Sequence, residues 1–534
     1  MDAAQKRIGL ILLLIAAAYF AAFWAPNAVA SEDIAMVTAF EPDEGKPLPF
    51  LLDMLRPADS LGEGLRNFIS YGYFFYGFPF FALSALTLLP QALAGDLGDI
   101  GQVMLTLRQF ANLLPMLAAM LVLVWLQTGF RSYKAIVVFL WLLAIPAVVA
   151  NNLWWHPDGL AILLAMLALW ALVQDDLRLG AWFYAAAALV GLAAQTKGIG
   201  FYFFLAICWY LWLGLRQRGL PLRRLALAAT SFLAAMAAAY FLSNPILLTY
   251  PPARAQFFNI MQTQSALLTE GYEVVYQTGL GAAAPIVGEY YGSWLLPLAM
   301  LGLTLWGAAR GPRRLLQQLI LAWFIPITVF VFFFSHFKYQ YWLPVILPLY
   351  SSLALALPDS LEELRAWWRE RSPRALALSI VLVLVIGQFG IYLVNNLERY
   401  QTQLQRAETN PALAFYDDIQ AALAPLPGGD YRVYHDVGVY LPPQPGWTTE
   451  TRFEVLTYDY IQSGDFDILL LTQQRILDYL NPDAEGIDPA EFAAAQAFYR
   501  DADAGELDGY VLVYRDPFGL IFVGESLYAA YFAE

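Results

Sequence analysis

Runs of apolar residues, many close to 20 long, recur along this chain, and about 20 is the length an α-helix needs to cross a bilayer. The strong runs are Ile8–Trp24, Leu105–Trp125, Ala135–Ala150, Gly159–Val173, Ala181–Ala194, Gly200–Leu215, Leu225–Leu242, Trp294–Gly307, Leu315–Phe334, Trp342–Leu357 and Ala375–Val394, eleven in all. Lipid offers the backbone no hydrogen-bond partner, so such runs must satisfy their own polar groups as helices. Composition agrees: 14% of residues are charged, against about 25% in soluble domains. The expected class is a polytopic α-helical membrane protein of about eleven spans.

Lys and Arg in short loops set sidedness. Basic residues cluster in "FRSYK", "RQRGLPLRR", "ARGPRR" and "LRAWWRERSPR", which fall on one side when the strong spans are counted. The opposite loops hold few, chiefly Lys197, Arg254 and Lys338. Lys6 and Arg7 precede the first run, so the N-terminus is expected in the cytoplasm and "EPDEG" (Glu41–Gly45) outside. The stretch Tyr71–Ala94 then makes no net crossing and reads as a juxtamembrane or re-entrant helix. A rival topology makes it a twelfth span and puts "EPDEG" in the cytoplasm.

The span cores are nearly free of charge. Arg108 is the exception, read as a depth anchor near its helix end. Proton- and ion-coupled carriers are expected to bury acids or lysines in the membrane, so a transporter is disfavoured. The net charge of −14 says little about nucleic acid, but no basic stripe suggests it. One cysteine, Cys208, excludes an internal disulfide, and three histidines leave little for a histidine-rich metal site.

Four outer segments stand out: residues 25–104, "NNLWWHPDG" (Asn151–Gly159), residues 243–293 and "SHFKYQYW" (Ser335–Trp342). The third is expected to be a long loop without strong structure, a kind that is usually functional. Residues 396–534 turn ordinary in composition. "YRVYHDVGVYL", "FDILLLT", "GYVLVYRD" and "LIFVGE" read as strands, and "NPALAFYDDIQAALAPL" and "DPAEFAAAQAFYRDA" as helices. That mixture predicts a soluble α/β domain, extracytoplasmic after eleven crossings, following a membrane module over residues 1–395.

"EPDEG" after the first span resembles the acidic motif in the first external loop of GT-C glycosyltransferases, such as the protein O-mannosyltransferases and the aminoarabinose transferases. "NFISYGYFFYGFPFFALSAL", "WWHPDGLAILLAMLALWAL", "GLAAQTKGIGFYF" and "KYQYWLPVILPLYSSLAL" resemble later segments of that family, in order and on one face. The resemblance covers about the first 395 residues and leaves out the α/β region. It implies a GT-C-like module in a prokaryotic plasma membrane, with its active site at the outer surface. It also implies a sugar donor on a polyprenyl monophosphate, inverting transfer to a lipid, glycan or protein acceptor, and no required cofactor, though a divalent metal remains open.

An acceptor hydroxyl is a weak nucleophile, and a carboxylate in hydrogen-bond reach can take its proton. Asp43 is the first choice for that base, with Glu44 in reserve as base, acceptor-positioning group or metal ligand and Glu41 facing solvent; the plain alternative is a solvated acidic loop. A leaving phosphate needs cations, for which Lys197, Lys338 and Arg254 are candidates, or else interfacial anchors. His156, Asp158 and His336 are candidate acceptor, sugar or metal contacts, or polar contacts under a loop. Tyr339 and Tyr341 are candidate sugar platforms, or aromatic-belt residues. Rival functions are a lipid-linked oligosaccharide polymerase or ligase centred on Arg254, a lipid or sugar transporter, and a scaffold whose C-terminal domain acts.

Overall fold

The structure is a computed structural model that describes every residue except Met1, Glu273, Tyr276, 359–361, 364, 366–368, 370–372 and Glu534. The basic loop "LRAWWRERSPR" therefore lies partly outside the described residues, Arg371 included.

Among the described residues, seven helices are long and apolar enough to cross a membrane, or eight if the bent pair Leu280–Tyr291 and Leu295–Arg310 forms one span. The difference from eleven lies in identifiable breaks. The run Ala135–Ala150 is two helices, Lys134–Leu143 and Pro146–Asn151. Pro146 starts the second because it forces extended backbone on Ile145 (ψ 123°). The run Ala181–Ala194 is a helix of 16 residues, Ala181–Thr196, and Trp342–Leu357 becomes Tyr339–Ser351 followed by a short 3-10 turn. The ambiguous run Tyr71–Ala94 contains a 17-residue helix, Phe78–Ala94. A single large core joins most of these helices, with Trp141, Tyr210, Trp342 and Tyr350 at or below 1% exposure.

The segment 25–104 is mostly helical, with short helices Ile34–Phe40, Pro42–Gly45, Leu48–Met54 and Leu61–Ile69 before Phe78–Ala94. Its aromatic stretch folds inward. Tyr71, Phe74, Tyr76, Phe78, Phe80 and Phe81 share one buried cluster with Trp155, Tyr240 and Phe257. Residues 243–293 correct the loop expectation, since they hold helices Pro245–Thr249, Pro251–Thr269 and Leu280–Tyr291. Pro251 and Pro252 suit the first turn of a helix, where the missing N–H costs nothing. Ala253 and Phe257, four residues apart, are the buried face of Pro251–Thr269. Phe257 meets the Phe74 ring edge-on at 6.0 Å, and Gln264 Nε2 donates to the Phe75 carbonyl at 2.8 Å.

The C-terminal region contains a five-stranded mixed sheet. Its order is Trp447–Glu450, Tyr431–His435, Ile468–Thr472, Gly519–Gly524, Tyr510–Arg515. The first three strands are parallel, and Gly519–Gly524 is antiparallel to both its neighbours. Leu469 and Leu471 pack on one face under Pro489–Ala504, while Ile468 and Leu470 pack on the other with Phe415 of Pro411–Ala422. Burial on both faces accounts for the unbroken apolar run in that strand. The position 395/396 falls inside one continuous helix, Pro373–Thr409, which runs from an apolar stretch to the edge of the sheet domain.

Candidate active site

The acidic motif folds as a single helical turn. Pro42 opens it, and the amides of Glu44 and Gly45 donate to the Glu41 carbonyl at 2.9 and 3.0 Å. Gly45 is required by close approach: a Cβ there would lie 2.3 Å from Thr38 Oγ1 and 2.4 Å from Thr38 Cα. Successive residues of a helical turn point about 100° apart, so the acids diverge. Glu44 turns inward and is fully buried, and Asp43 turns out and is exposed.

Glu44 is spent on structure. Arg108 meets it as a fork, Nε to Oε1 at 2.9 Å and Nη2 to Oε2 at 2.5 Å, and the Trp155 amide also donates to Oε1. Arg108 Nη1 donates to the Asn27 carbonyl at 3.0 Å. Arg108 sits in a stretch of π-helix, Leu107–Leu113, a form often found at functional sites. Expected as a depth anchor, Arg108 instead ties the acidic turn, the first helix end and the "WWHPDG" loop together. Its standing as a charge within an apolar run was the available signal.

Asp43 differs. Its backbone carbonyl accepts from the Tyr76 hydroxyl at 3.4 Å. Among the described residues no group hydrogen-bonds or pairs with its carboxylate, yet its charge acts on Tyr73, Tyr76, His156 and Lys338. Glu41, expected to face solvent, is partly buried and pairs with Arg406 at 3.0 Å. Burial pushes its carboxyl pKa up, with the Arg406 charge opposing.

A second unit faces this turn. Asp158 opens the helix Asp158–Asp175 and is 1% exposed. One oxygen takes His156 Nδ1 at 2.6 Å and the other takes Lys197 Nζ at 2.6 Å. The His156 ring stacks flat on Trp154 at 4.2 Å and meets Tyr76 edge-on at 5.1 Å. Burial and the Lys197 charge hold the His156 pKa below its ordinary value. An ionised carboxylate only accepts, so His156 Nδ1 donates to Asp158. Asn112 fixes the loop that carries this pair, donating to the Asn151 and Trp154 carbonyls and accepting from the Gly159 amide at 3.2 Å. Gly77 docks the first loop onto the same region, its amide donating to the Thr196 carbonyl at 3.2 Å, next to Lys197. A Cβ at Gly77 would sit 1.3 Å from the Gln195 carbonyl oxygen. Gly77→Ala is therefore expected to cost about 1–3 kcal/mol or more, read as a lower melting temperature of the purified protein.

Lys197 Nζ also lies 5.4 Å from the Tyr341 ring centre. Lys338 follows on the neighbouring segment, and burial pushes its pKa down while Asp43 opposes that shift. Unlike Lys197, Lys338 makes no salt bridge among the described residues. Tyr339 stacks on Tyr290 at 4.4 Å, and Tyr290 in turn lies under the Arg399 guanidinium at 4.5 Å. The His336 amide donates to the Leu268 carbonyl at 3.0 Å, and burial with the Lys338 charge pushes its imidazole down to about 4. Arg254 is exposed on the helix Pro251–Thr269 and makes no contact with this group of residues among those described. Asp43, His156, Asp158, Lys197, Lys338 and Tyr341 thus form one neighbourhood, which Tyr76 completes. Among the described residues no three His, Cys, Asp or Glu side chains converge as metal ligands, and Asp158 already serves His156 and Lys197.

No family profile matches the sequence, and no curated protein matches it significantly. Solved structures do. One is ArnT from Cupriavidus metallidurans in the apo state, at 16% identity over 98% of this chain and 99% of that one, TM-score 0.53. The same protein bound to undecaprenyl phosphate gives 16% over 97% and 98%, TM-score 0.52. Archaeal oligosaccharyltransferase AglB from Archaeoglobus fulgidus, in complex with an inhibitory peptide and a dolichol-phosphate, gives 12% over 99% of this chain and 78% of that one, TM-score 0.56. This chain has their fold. The chain is an integral membrane protein with a small C-terminal sheet domain. Identity this low carries no residue roles with it.

Proposed function

We propose that this protein is an inverting membrane glycosyltransferase that moves a sugar from a polyprenyl monophosphate to an acceptor hydroxyl. Asp43 acts as general base. The observation that carries the reading is a pair of charges that make no salt bridge among the described residues and act on each other, the Asp43 carboxylate and the Lys338 ammonium, beside the Lys197–Asp158–His156 unit. The fold shared with proteins bound to undecaprenyl phosphate or dolichol-phosphate supports a lipid-phosphate donor. In the reaction the acceptor oxygen attacks the anomeric carbon, and the bond from that carbon to the phosphate oxygen breaks. The electron pair leaves with the lipid phosphate, and the acceptor proton passes to Asp43. A single displacement needs one base on the face opposite the leaving group. Lys338 and Lys197 stabilise charge on the departing phosphate, and Tyr341, His156 and Tyr339 line the sugar and acceptor space. The clustering of Lys and Arg in the loops of one side, with the N-terminus taken as cytoplasmic, argues for this site and the sheet domain lying outside.

Added polyprenyl phosphate is expected to show density for its phosphate between Lys197 and Lys338. Density at Arg254 instead would favour the polymerase or ligase reading. Binding should also depend on pH. The Lys338 pKa is lowered by burial and supported by Asp43, so its positive charge is lost as pH rises through that lowered value. Affinity for polyprenyl phosphate should fall on the alkaline side. In Asp43→Asn the support is gone, and the fall should move to lower pH, as titration of the two proteins would reveal.

A further inference from the structure

The acidic turn is held from two sides, and only one hold comes from Arg108. The other comes from Arg406, in the last turn of the helix Pro373–Thr409. Its Nη2 donates to the Phe40 carbonyl and lies 3.0 Å from the Glu41 carboxylate. Its guanidinium lies 5.1 Å over the Phe40 ring. Phe40 ends the helix Ile34–Phe40, and Glu41 is the extended link (φ −142°, ψ 84°) that starts the next turn. Arg406 therefore fixes the point from which Pro42–Gly45 departs. Just beyond it, Ala412 packs with Ala30, Met36 and Phe40 in a separate small cluster, so this helix end and the first loop share one core. Tyr440 of the sheet domain adds a hydrogen bond to Asp33 at 2.9 Å.

We propose that Arg406, paired with Glu41, is a positioning residue that sets the aim of Asp43 and couples it to the C-terminal region. This rests on the reading of Asp43 as the base. Asp43 lies between two anchored residues: Glu41 is fixed by Arg406, and Glu44 by Arg108. With Arg406 removed, the turn keeps its buried anchor at Glu44 and the long Tyr76 contact to the Asp43 carbonyl, and can pivot about Glu44. A shift of about 1 Å in a reacting group can cost about a hundredfold in rate, while the lysines that face the phosphate are untouched.

The test uses the full chain in lipid nanodiscs, with Arg406→Ala, Arg406→Lys, Glu41→Gln and the double variant Arg406→Ala/Glu41→Gln. Arg406→Ala is expected to lower kcat about a hundredfold, with donor KM within about twofold. Arg406→Lys should regain most of the rate. The double variant should be no slower than Arg406→Ala alone, because the two residues act as a pair. Amide hydrogen exchange over residues 36–46 should rise in Arg406→Ala and Glu41→Gln. Normal kcat with unchanged exchange in Arg406→Ala would overturn the proposal, as would losses that multiply in the double variant. If Arg406→Ala does not fold, Arg406→Lys and Glu41→Gln decide the matter by the same readouts. The exchange measurement needs no turnover. A wild type that consumes no donor would therefore sink the transferase reading while exchange still decides the Arg406–Glu41 coupling.

Discussion

Asp43→Asn is expected to lower the rate of sugar transfer by about 10²–10⁴-fold, the usual worth of a positioned general base. The substitution keeps the size of the side chain and removes its capacity to take a proton. Because Asp43 is exposed and its carboxylate holds no partner among the described residues, the fold should not notice the change. The melting temperature should stay close to wild type, and donor KM should move less than kcat. Loss confined to the acceptor-dependent step would show in single-turnover kinetics, with donor already bound. A variant that is slow because it is unfolded would show the opposite pattern.

Glu44→Gln, one residue along, is expected to fail differently. Glu44 and Arg108 are buried to within 1% of complete exclusion, and the guanidinium has no other carboxylate in contact among the described residues. Neutralising one partner leaves a buried, unpaired charge, which costs about 3–5 kcal/mol. Against a typical total of about 5–15 kcal/mol, that is a large share. The Trp155 amide keeps an acceptor if the glutamine oxygen faces it, but the fork to Arg108 loses one arm. We expect a strong drop in thermal stability and yield. Arg108→Ala should do the same, leaving Glu44 as the orphan. A double substitution that replaces both by apolar residues of similar volume should recover stability relative to either single change, since no charge is then stranded. The two neighbouring acids would thus separate cleanly, one by rate and the other by stability.

Much of the architecture was readable from the chain because burial writes period and composition into sequence. The apolar runs, the sheet domain, and strands such as Ile468–Thr472 follow from that. Trp447–Glu450 leaves little mark in sequence because it is a short edge strand with three of its four residues exposed. The helices in residues 243–293 are hard to see in sequence because one buried face, Ala253 and Phe257, is a weak helical signal. The motif "EPDEG" lies in one neighbourhood with Asp158, Lys197 and Lys338, and each of these stands in an outer segment that the sequence singles out. The pairings could not be read. Glu44 meets Arg108 across 64 residues and Lys197 meets Asp158 across 39. Arg406 reaches Phe40 across 366. A carboxylate spent on an arginine and a free one look the same in sequence. Only the rotation of one helical turn decides which is which.

The most direct measurement is transfer itself. Purified wild type and Asp43→Asn would be reconstituted in lipid and offered a panel of polyprenyl-phosphate sugars with candidate acceptors, and the free polyprenyl phosphate released would be followed over time. The account predicts that the wild type consumes at least one donor, with inversion at the anomeric carbon, and that Asp43→Asn consumes it at least about a hundredfold more slowly. Consumption of no donor by the wild type, or an undiminished rate in Asp43→Asn, would contradict it.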